Sequence, residues 1–338
     1  MIKVAVNGYG TIGKRVADAI SKQSDMKLLG VVKTKPDFLA KMALQRGYNL
    51  YAASPESLET FKKAKMEAKG TFKELLPEAE VIVDATPSGT GKQNKPLYTE
   101  NGSKAIFEGG EKPDIAEASF CAQVNYDKAV NKKYIRIVSC NTTGLCRTLS
   151  TLDKAYGIES ADAVLIRRAA DPNDPETGPI NGIVLDPPHI PSHHGPDVQT
   201  VLPHIKITTM AVTVPTTLMH IHAIHTRVKQ PTTKEDVVQT FHKATRIMTI
   251  PPEDGITSTN QAAEYARELG RTRSDLYEIP VWEESVGVID GKDVYYFQGV
   301  HQEANVVPEN VDAIRAVTGF NSAEESIQRT NESLGILH

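Results

Sequence analysis

The chain has 338 residues and a formal net charge of −4, from 38 lysines and arginines against 42 aspartates and glutamates. This near balance excludes a nucleic-acid binder that works through bulk positive charge. Hydrophobic residues make up 40% and charged residues 24%, which is typical of a globular protein and not of a disordered one. The length favours two domains.

The cysteines and the apolar stretches indicate the cellular compartment in which the protein is expected. Cys121, Cys140 and Cys146 cannot all pair with one another, which predicts a reducing environment and at least one free thiol. The chain enters a strand-like run at its start, without the apolar core of a signal peptide. Polar residues interrupt the most apolar later stretch, 205–224, so it does not read as a membrane span. We therefore expect a cytoplasmic protein without a membrane or nucleic-acid partner.

The first 110 residues alternate short β-rich runs with helical patterns. Strands are predicted at 2–7, 28–32, 81–85 and 105–107, and a helix over 11–23. Continuous apolar runs between helices favour strands that are buried on both faces of a parallel sheet. Right-handed βαβ crossovers then give an N-terminal Rossmann-type domain, predicted for residues 1–138.

The pattern changes after about residue 138. Runs at 161–166, 205–214 and 218–228 show partial alternation, which predicts a largely antiparallel sheet in an α+β catalytic domain over 139–302. The segment 171–199 is rich in Pro, Gly, Asn, Asp and His, and we expect a functional loop there because it carries a histidine pair. The helical tail, 303–338, is predicted to pack back on the dinucleotide-binding domain.

A GxGxxG motif follows the first predicted strand and opens the first helix. Gly8 permits the tight turn, Gly10 lets a pyrophosphate approach the backbone, and Gly13 allows close helix–sheet packing. The backbone N–H groups of Thr11 and Ile12 would lie at the positive end of the helix. The motif favours a dinucleotide site, and an ordinary strand–helix turn is the alternative.

The end of the second strand bears on the choice of cofactor. NAD-specific sites place an acid about 20 residues beyond the glycine loop, to bind the ribose 2′-hydroxyl. Here the strand runs into Lys33, Thr34 and Lys35, with no acid at its end. This favours NADP, with NAD also accepted, unless the lysines are only a solvated strand end. The turns 86–89 and 109–110 follow two further strands, where ligands collect.

The stretch 135–144 carries the strongest chemical signal. An apolar strand meets a turn of small polar residues, and a helical pattern follows, which puts Cys140 at a helix N-terminus. The helix dipole and backbone N–H groups lower a thiol's pKa there and can hold an oxyanion, so the thiolate would attack an aldehyde carbonyl. A buried structural cysteine is the alternative. Cys146 is predicted to lie in the core, and Cys121 has no comparable context.

Four motifs occur in one family's order along nearly the whole chain. They are Ser-Cys-Asn-Thr-Thr-Gly at 139–144, Arg-Arg-Ala-Ala-Asp-Pro-Asn-Asp at 167–174, Ile-Pro-Ser-His-His-Gly-Pro-Asp at 190–197, and Gln-Glu-Ala-Asn-Val-Val-Pro-Glu-Asn at 302–310. With them the chain resembles the archaeal type of phosphorylating glyceraldehyde-3-phosphate dehydrogenase. Ser-Cys-Asn alone is shared with aspartate-semialdehyde and acyl-phosphate reductases, whereas the arginine and histidine blocks are far more specific.

The resemblance implies a reaction and a set of contacts. Cys140 would attack D-glyceraldehyde 3-phosphate, hydride would pass to NADP or NAD, and inorganic phosphate would cleave the thioester to give 1,3-bisphosphoglycerate, reversibly. A homotetramer is also implied. Substrate contacts are implied for Ser139, Asn141, Thr142, His194 and Gly195, and cofactor contacts for Gly110, Arg168 and Gln302 beside the glycine loop and Lys33.

The reaction also needs a base. The bacterial and eukaryotic branch has a histidine shortly after the cysteine, but this chain has none between Cys140 and His189. The archaeal branch takes one from a later strand, where strand alternation puts His220 and His222 on one face. Motif position favours His220, whose neutral nitrogen would suit thiol deprotonation. A core histidine is the alternative.

Two other functions and a metal site remain to be weighed. An aspartate-semialdehyde or acyl-phosphate reductase would share the fold and the nucleophile, but the histidine block at 193–195 disfavours it. A non-catalytic dinucleotide-binding regulator would leave Cys140 without a role. Histidines cluster between residues 189 and 225, yet no HExxH or paired CxxC accompanies them, so no metal is predicted.

Overall fold

The computed structural model describes residues 1–108, 110–170 and 178–337. Contacts divide the chain into two units: Met1–Ser139 with Val307–Gly335 form the N-terminal unit, and Cys140–Val306 with the residues from Ile336 onward form the second unit. The domain boundaries placed after residues 138 and 302 stay a prediction, because contact density does not show which segments fold independently.

The strands and helices are numbered in chain order. The strands are β1 (Ile2–Asn7), β2 (Met26–Lys33), β3 (Leu50–Ala52), β4 (Val81–Asp84), β5 (Lys104–Phe107), β6 (Ala118–Phe120), β7 (Tyr134–Ile137), β8 (Ile158–Arg168), β9 (Val184–Leu185), β10 (Ile207–Val214), β11 (His220–Val228), β12 (Ile247–Ile250), β13 (Ile279–Trp282), β14 (Gly287–Ile289) and β15 (Asp293–Val300). The helices are α1 (Gly13–Ser21), α2 (Phe38–Gln45), α3 (Pro55–Lys63), α4 (Phe72–Leu75), α5 (Thr90–Asn101), α6 (Ala122–Asn125), α7 (Cys140–Tyr156), α8 (His194–Gln199), α9 (Lys234–His242), α10 (Thr259–Glu268), α11 (Val307–Val317) and α12 (Ala323–Leu334).

The N-terminal unit is built on a parallel sheet. In the described residues its seven strands follow the order β3-β2-β1-β4-β5-β7-β6. The central strands β1 and β4 are buried on both faces, as their unbroken apolar sequences require. The predicted Rossmann-type sheet is confirmed.

The helical tail consists of two helices. The spacing over 309–334 predicts helical structure, and α11 and α12 form there. The helical conformation is interrupted at Gly319. This residue has a φ of 97°, and an added Cβ would lie 2.9 Å from Asn131 Oδ1. Only glycine adopts this backbone without strain, so the turn ends the helix. Both helices belong to the N-terminal unit.

The start of α5 is capped by a carboxylate from elsewhere in the chain. Glu111 Oε1 accepts the backbone N–H groups of Gly89 at 2.7 Å and of Gly91 at 3.0 Å. The first N–H groups of a helix have no partner within the helix and attract anions. At this strand–helix junction the protein supplies that anion itself.

The second unit is built on a mixed sheet. In the described residues its main path is β12-β13-β15-β11-β8-β10-β9, with β14 paired to β15. Only β8–β10 and β12–β13 are parallel, so the prediction of a largely antiparallel sheet is confirmed. The segment 171–199, predicted as a loop, contains β9 and α8 in its described part.

One face of this sheet packs against α7, and the other carries a row of exposed apolar residues. Across four strands, Met210, Val164, Ala223 and Phe297 lie in register, and Leu185 continues the face on β9. We call these residues the open sheet face. Leu185 is 62% exposed, Phe297 46% and Met210 39%. An apolar patch of this kind marks an interaction surface.

The described helices also bear on membrane association. None of them is both long enough and apolar enough to cross a membrane.

Candidate active site

The three motif glycines of the N-terminal unit have different surroundings. Gly8 has a φ of 100°, and an added Cβ would lie 2.7 Å from the carbonyl group of Ala85. At Gly13 the added Cβ would lie 1.8 Å from Gly8 O, so the helix packs directly on the loop. At Gly10 it would meet nothing within 4 Å. Thr11 and Ile12 form the turn that enters α1. The open space at Gly10 is what a bound pyrophosphate needs.

An acidic residue that the sequence analysis overlooked lies beside Lys33. Lys33 Nζ is 2.5 Å from Asp37 Oδ2, and the other oxygen of Asp37 accepts the N–H of Ala40 at 2.9 Å. The expectation of a strand end without an acid was wrong, because the turn after β2 returns Asp37 to it. An aspartate just before a helical pattern is an N-cap signal that could have revealed this residue.

Cys140 is the first residue of α7, in the second unit. Its Sγ lies 3.9 Å from His220 Nε2. Burial raises the pKa of the thiol to about 11, although Arg167, Arg168 and a hydrogen bond from the Asn141 backbone N–H act in the opposite direction. The expectation of a lowered pKa was therefore wrong, because loss of solvation outweighs the favourable charges.

A backbone hydrogen bond orients the ring of His220. Its Nδ1 accepts the N–H of Arg168 at 2.9 Å. A ring nitrogen that accepts a hydrogen bond bears no proton, so the neutral ring carries its proton on Nε2, toward Cys140. Burial lowers the pKa of His220 well below its usual value, and the positive charge of Arg167 adds to this effect.

His222 belongs to a buried chain of hydrogen bonds. Gln298 Nε2 donates to His222 Nδ1 at 3.1 Å, and His222 Nε2 donates to Asn141 Oδ1 at 2.9 Å. Asn141 Nδ2 then donates to His194 Nε2 at 3.3 Å, and His194 Nδ1 donates to Ser192 Oγ at 3.1 Å. We call these five residues the histidine chain. Burial lowers the pKa of His222 to about 3 and of His194 to about 2, so both rings are neutral.

The other predicted substrate contacts are also engaged within the protein. Thr142 Oγ1 donates to Asp197 at 2.6 Å, and the Gly195 N–H donates to Thr209 Oγ1 at 2.9 Å. A phosphate contact through the ring of His194 would have to replace a bond of the histidine chain. His193 is exposed and stacks on His194 with ring centroids 3.9 Å apart. Ser139, the residue before Cys140, is the last residue of the first segment of the N-terminal unit.

The predicted cofactor contacts outside the glycine loop have mixed surroundings. Arg168 pairs with Glu303 at 3.4 Å and donates to the Ala170 carbonyl. Gln302 Nε2 also donates to Glu303, at 2.9 Å, while its buried Oε1 has no partner among the described residues. Gly110 has a φ of 81°, and open space lies where a side chain would begin. The cofactor roles of these residues stay predictions.

Arg167 is a site residue to which the sequence analysis gave no role. Its Nη1 pairs with Asp186 at 2.6 Å, while its Nε is buried without a partner among the described residues. Its charge lowers the pKa of Cys140, His220, His222, His193 and His194. The Arg-Arg motif could have revealed it, because neighbouring strand residues point to opposite faces and only one was given a role.

Two parts of the predicted site fall outside the described residues. They are Gly109 in the turn after β5, and Asp171 to Asp174 of the arginine motif. Within residues 1–108, 110–170 and 178–337, no group of three or more His, Cys, Asp or Glu side chains could hold a metal ion.

Comparisons with known proteins cover the whole chain. Residues 139–285 match the C-terminal domain of glyceraldehyde 3-phosphate dehydrogenase, and residues 2–111 match the N-terminus of dihydrodipicolinate reductase. The chain is similar to the glyceraldehyde-3-phosphate dehydrogenase of Methanothermus fervidus, with 53% identity over 100% of both chains. It is 56% identical to that of Thermococcus kodakarensis over 99% of both chains. The chain belongs to the glyceraldehyde-3-phosphate dehydrogenase family. It is also 54% identical to the family member from Archaeoglobus fulgidus, over 99% of this chain and 98% of that one.

The two matched segments of this glyceraldehyde-3-phosphate dehydrogenase family member contain different predicted site residues. The C-terminal match contains Cys140, His220 and the histidine block, and the N-terminal match contains the glycine loop and Lys33. The predicted resemblance to the archaeal type is confirmed. Full-length similarity favours this family over the aspartate-semialdehyde and acyl-phosphate reductases.

Proposed function

We propose that the protein is a phosphorylating glyceraldehyde-3-phosphate dehydrogenase. It oxidises D-glyceraldehyde 3-phosphate with NADP or NAD and inorganic phosphate to 1,3-bisphosphoglycerate, reversibly, as in glycolysis and gluconeogenesis. One observation carries the proposal: in a member of this family, the thiol that begins α7 lies 3.9 Å from a histidine nitrogen. A thiol beside a hydrogen-bonding histidine is the arrangement of a cysteine nucleophile.

The chain's own residues account for the covalent steps. Cys140 Sγ adds to the aldehyde carbon and gives a thiohemiacetal, beside the backbone N–H of Asn141 that already contacts the sulphur. When bound, the nicotinamide supplies a hydride acceptor for that carbon, which leaves a thioester on Cys140. Inorganic phosphate attacks the thioester carbonyl, and the thiolate of Cys140 is the leaving group.

The residues of the N-terminal unit fit a dinucleotide. The space at Gly10 lies next to the turn that opens α1, where backbone N–H groups favour phosphates. Lys33 offers a cation for a 2′-phosphate, although Asp37 competes for it. In the second unit, the unpartnered Oε1 of Gln302 suits the N–H of a carboxamide.

The substrate's phosphate and the co-substrate are both anions, and cations are present for them. The Nε–H of Arg167 is a buried donor without a partner among the described residues. His193 is exposed, and the charge of Arg167 contributes to lowering its pKa. We assign Arg167 to anion binding beside the predicted contacts at His194 and Gly195. Arginine suits this task because its charge is permanent and its donors match phosphate oxygens.

The open sheet face supports an assembly. We propose a cytoplasmic homotetramer in which this face is covered by another copy of the chain, since the exposed residues Leu185, Met210 and Phe297 form one apolar surface.

The activity is tested on the purified protein with NADP, phosphate and glyceraldehyde 3-phosphate. NADPH absorbance is followed with and without phosphate, and for Cys140→Ser and Cys146→Ser. We expect phosphate-dependent NADPH formation that Cys140→Ser abolishes and Cys146→Ser retains, because Cys146 is a buried core residue. Full activity of Cys140→Ser, or turnover with aspartate semialdehyde instead, would overturn the proposal.

A further inference from the structure

We propose that Thr209 is a positioning residue: its hydroxyl sets the direction of the histidine chain, so that the side-chain nitrogen of Asn141, and not its oxygen, lies on the side of His194 and donates to the substrate. The inference rests on the proposed function for the identity of that substrate. The contacts that carry it all lie within the second unit.

The histidine chain can in principle run in two directions. A neutral histidine donates from one ring nitrogen and accepts at the other, and the side-chain amide of Asn or Gln likewise has one donor end and one acceptor end. Reversal would therefore keep every hydrogen bond between Gln298 and His194. The direction has to be set by the groups at the two ends of the chain.

The Gln298 end of the chain does not set the direction. Thr148 Oγ1 lies 2.7 Å from Gln298 Oε1 and 3.3 Å from the carbonyl oxygen of Gly144. The hydroxyl can donate to the Gln298 oxygen. It can also donate to Gly144 and accept from a Gln298 nitrogen that has exchanged places with that oxygen. This end accommodates both directions.

The Ser192 end of the chain permits one direction, because Thr209 contacts two backbone groups of fixed character. Thr209 Oγ1 lies 3.0 Å from the Ser192 carbonyl oxygen, which can only accept, and 2.9 Å from the Gly195 N–H, which can only donate. The single Thr209 proton therefore goes to the carbonyl. Ser192 Oγ, 2.8 Å from Thr209 Oγ1, then donates to it and has no proton left for His194.

The direction of the remaining bonds follows from Ser192. Since Ser192 Oγ can only accept from His194, the ring proton of His194 lies on Nδ1, and its Nε2 accepts from Asn141 Nδ2 at 3.3 Å. Asn141 Oδ1 must then accept from His222 Nε2 at 2.9 Å. His222 Nδ1 accepts from Gln298 Nε2, which leaves the Gln298 oxygen for the hydroxyl at the other end.

Burial turns this preference into a constraint. Thr209, Ser192 and His222 have no exposed surface, and His194 and Asn141 are only 1% and 3% exposed. In the reversed chain Ser192 would donate to His194, Thr209 would donate to Ser192 Oγ, and the Ser192 carbonyl would lose its hydroxyl donor. One lost hydrogen bond in a buried site favours the observed direction by about tenfold.

The direction decides what Asn141 offers to a ligand. Its oxygen is taken by His222, whereas Nδ2 carries a second N–H on the side of His194, a predicted substrate contact. Glyceraldehyde 3-phosphate presents a carbonyl oxygen and phosphate oxygens, which accept hydrogen bonds. The reversed chain would put the Asn141 oxygen there instead, and two acceptors would face each other.

The first test compares Thr209→Val with Thr209→Ser. Both proteins, labelled with ¹³C,¹⁵N-histidine, are examined by solid-state NMR, which distinguishes protonated from unprotonated ring nitrogens. His194→Gln and His222→Gln assign the signals. We expect His194 with its proton on Nδ1 and His222 with its proton on Nε2 in the wild type and in Thr209→Ser. In Thr209→Val the Ser192 hydroxyl can donate only to His194, so both tautomers should exchange.

Two results would overturn the proposal at this step. One is a wild type in which His194 carries its proton on Nε2. The other is a folded Thr209→Val protein with the tautomers of the wild type. If Thr209→Val does not fold, Ser192→Ala decides in the same experiment. Removal of the Ser192 hydroxyl should make the reversed tautomers the major ones, because an unpaired buried N–H is disfavoured more than an unused lone pair. Unchanged tautomers in Ser192→Ala would show that the other end sets the direction.

The second test measures the consequence for the substrate. Thr209→Val also removes the acceptor of the Gly195 N–H, so turnover is measured in Ser192→Ala, which keeps that bond. We expect the KM for glyceraldehyde 3-phosphate to rise at least about tenfold, because one donor to the substrate is replaced by an acceptor. The KM for NADP should stay unchanged, and Thr209→Ser should retain both values. A Ser192→Ala protein with reversed tautomers and an unchanged aldehyde KM would overturn the assigned role of Asn141.

The two proposals fail in different ways. The tautomers are measured without aldehyde or cofactor, so they report the direction of the chain whatever the substrate is. A protein that fails to form NADPH with glyceraldehyde 3-phosphate would overturn the proposed function and leave the NMR result standing.

Discussion

Asp37 serves two elements with one carboxylate. One oxygen accepts the N–H of Ala40 at the start of α2, and the other pairs with Lys33 at the end of β2. The cap needs only an oxygen acceptor, which an asparagine amide also provides. The ion pair needs the charge. The two roles can therefore be separated by a single substitution.

Asp37→Asn is expected to shift cofactor choice toward NADP. Loss of the negative charge releases Lys33 and removes a repulsive charge from a bound 2′-phosphate, while the cap on α2 remains. One unit charge about 4 Å away is worth about 1 kcal/mol in water, which is about a fivefold rise in the ratio of kcat/KM for NADP over NAD. Glu59→Gln, which breaks the exposed pair with Lys62, is the control. An unchanged ratio in Asp37→Asn would place the 2′-phosphate elsewhere.

The residue scale also shows where sequence reasoning stops. The position of Cys140 at the start of α7 follows from an apolar strand, a polar turn and a helical pattern, all local in sequence. Its pKa does not follow, because the burial that raises it comes from residues distant in the chain. The same holds for His220 and His222. Alternation predicts one face for both, but only the tertiary structure gives them different partners.

At the scale of elements, the junction of β1 and α1 assigns separate roles to its glycines. Gly13→Ala is expected to disrupt the fold of the N-terminal unit, because its Cβ would lie 1.8 Å from Gly8 O. Gly10→Ala is expected to keep the thermal midpoint within a few degrees, because its Cβ meets nothing within 4 Å. The same methyl group should raise the NADP dissociation constant about tenfold or more by filling the space of the pyrophosphate. Circular dichroism and cofactor titration check both. Unchanged NADP affinity in Gly10→Ala would contradict the assigned binding loop.

The histidine chain links α7, α8, β11 and β15 through neutral rings. Its residues are far apart in sequence, so no spacing rule could have predicted it. A directed chain of buried hydrogen bonds is stable only while each ring keeps its single proton. Acid is therefore expected to act on several elements at once.

Stability is expected to fall as the pH drops below about 6.5. In the unfolded chain, His194, His220 and His222 have pKa values near 6.5, whereas burial depresses the pKa of each in the folded state, to about 2 for His194 and about 3 for His222. Above pH 6.5 neither state binds these protons, so stability is flat. Below it only the unfolded state does, and the free energy of unfolding falls by up to about 1.4 kcal/mol per pH unit for each histidine.

Urea midpoints between pH 8 and pH 5 measure this slope. His222→Gln removes one of the three rings and should reduce the slope by about a third. A midpoint that stays constant down to pH 5 would refute the assignment of three neutral buried rings.

At the scale of the whole molecule, the fold class could be predicted well and the assembly only by resemblance. Periodicity distinguishes a parallel sheet with buried strands from a sheet with one covered face, and both sheets form as expected. Periodicity does not show what covers the open sheet face. An apolar residue on an exposed strand predicts a binding surface but does not identify the partner that binds there.

Phe297→Asp tests the assembly. A charge on the open sheet face would be buried against another copy and left unpaired, which costs several kcal/mol. We expect a lower oligomer by light scattering, with the secondary structure retained. Leu269→Asp, at an exposed apolar position after α10, should leave the mass unchanged. A Phe297→Asp protein of unaltered mass would mean that the subunits associate through another surface.

The carboxylate of Glu111 affects where inorganic phosphate, the proposed co-substrate, can bind. Strand–helix junctions of a doubly wound sheet resemble one another chemically, and each offers unsatisfied amides to any phosphate in solution. With the amides of Gly89 and Gly91 bound to Glu111, one such junction is already saturated. Rising phosphate concentration would therefore increase turnover without loading this second junction, so the dependence on phosphate should saturate without inhibition from that position.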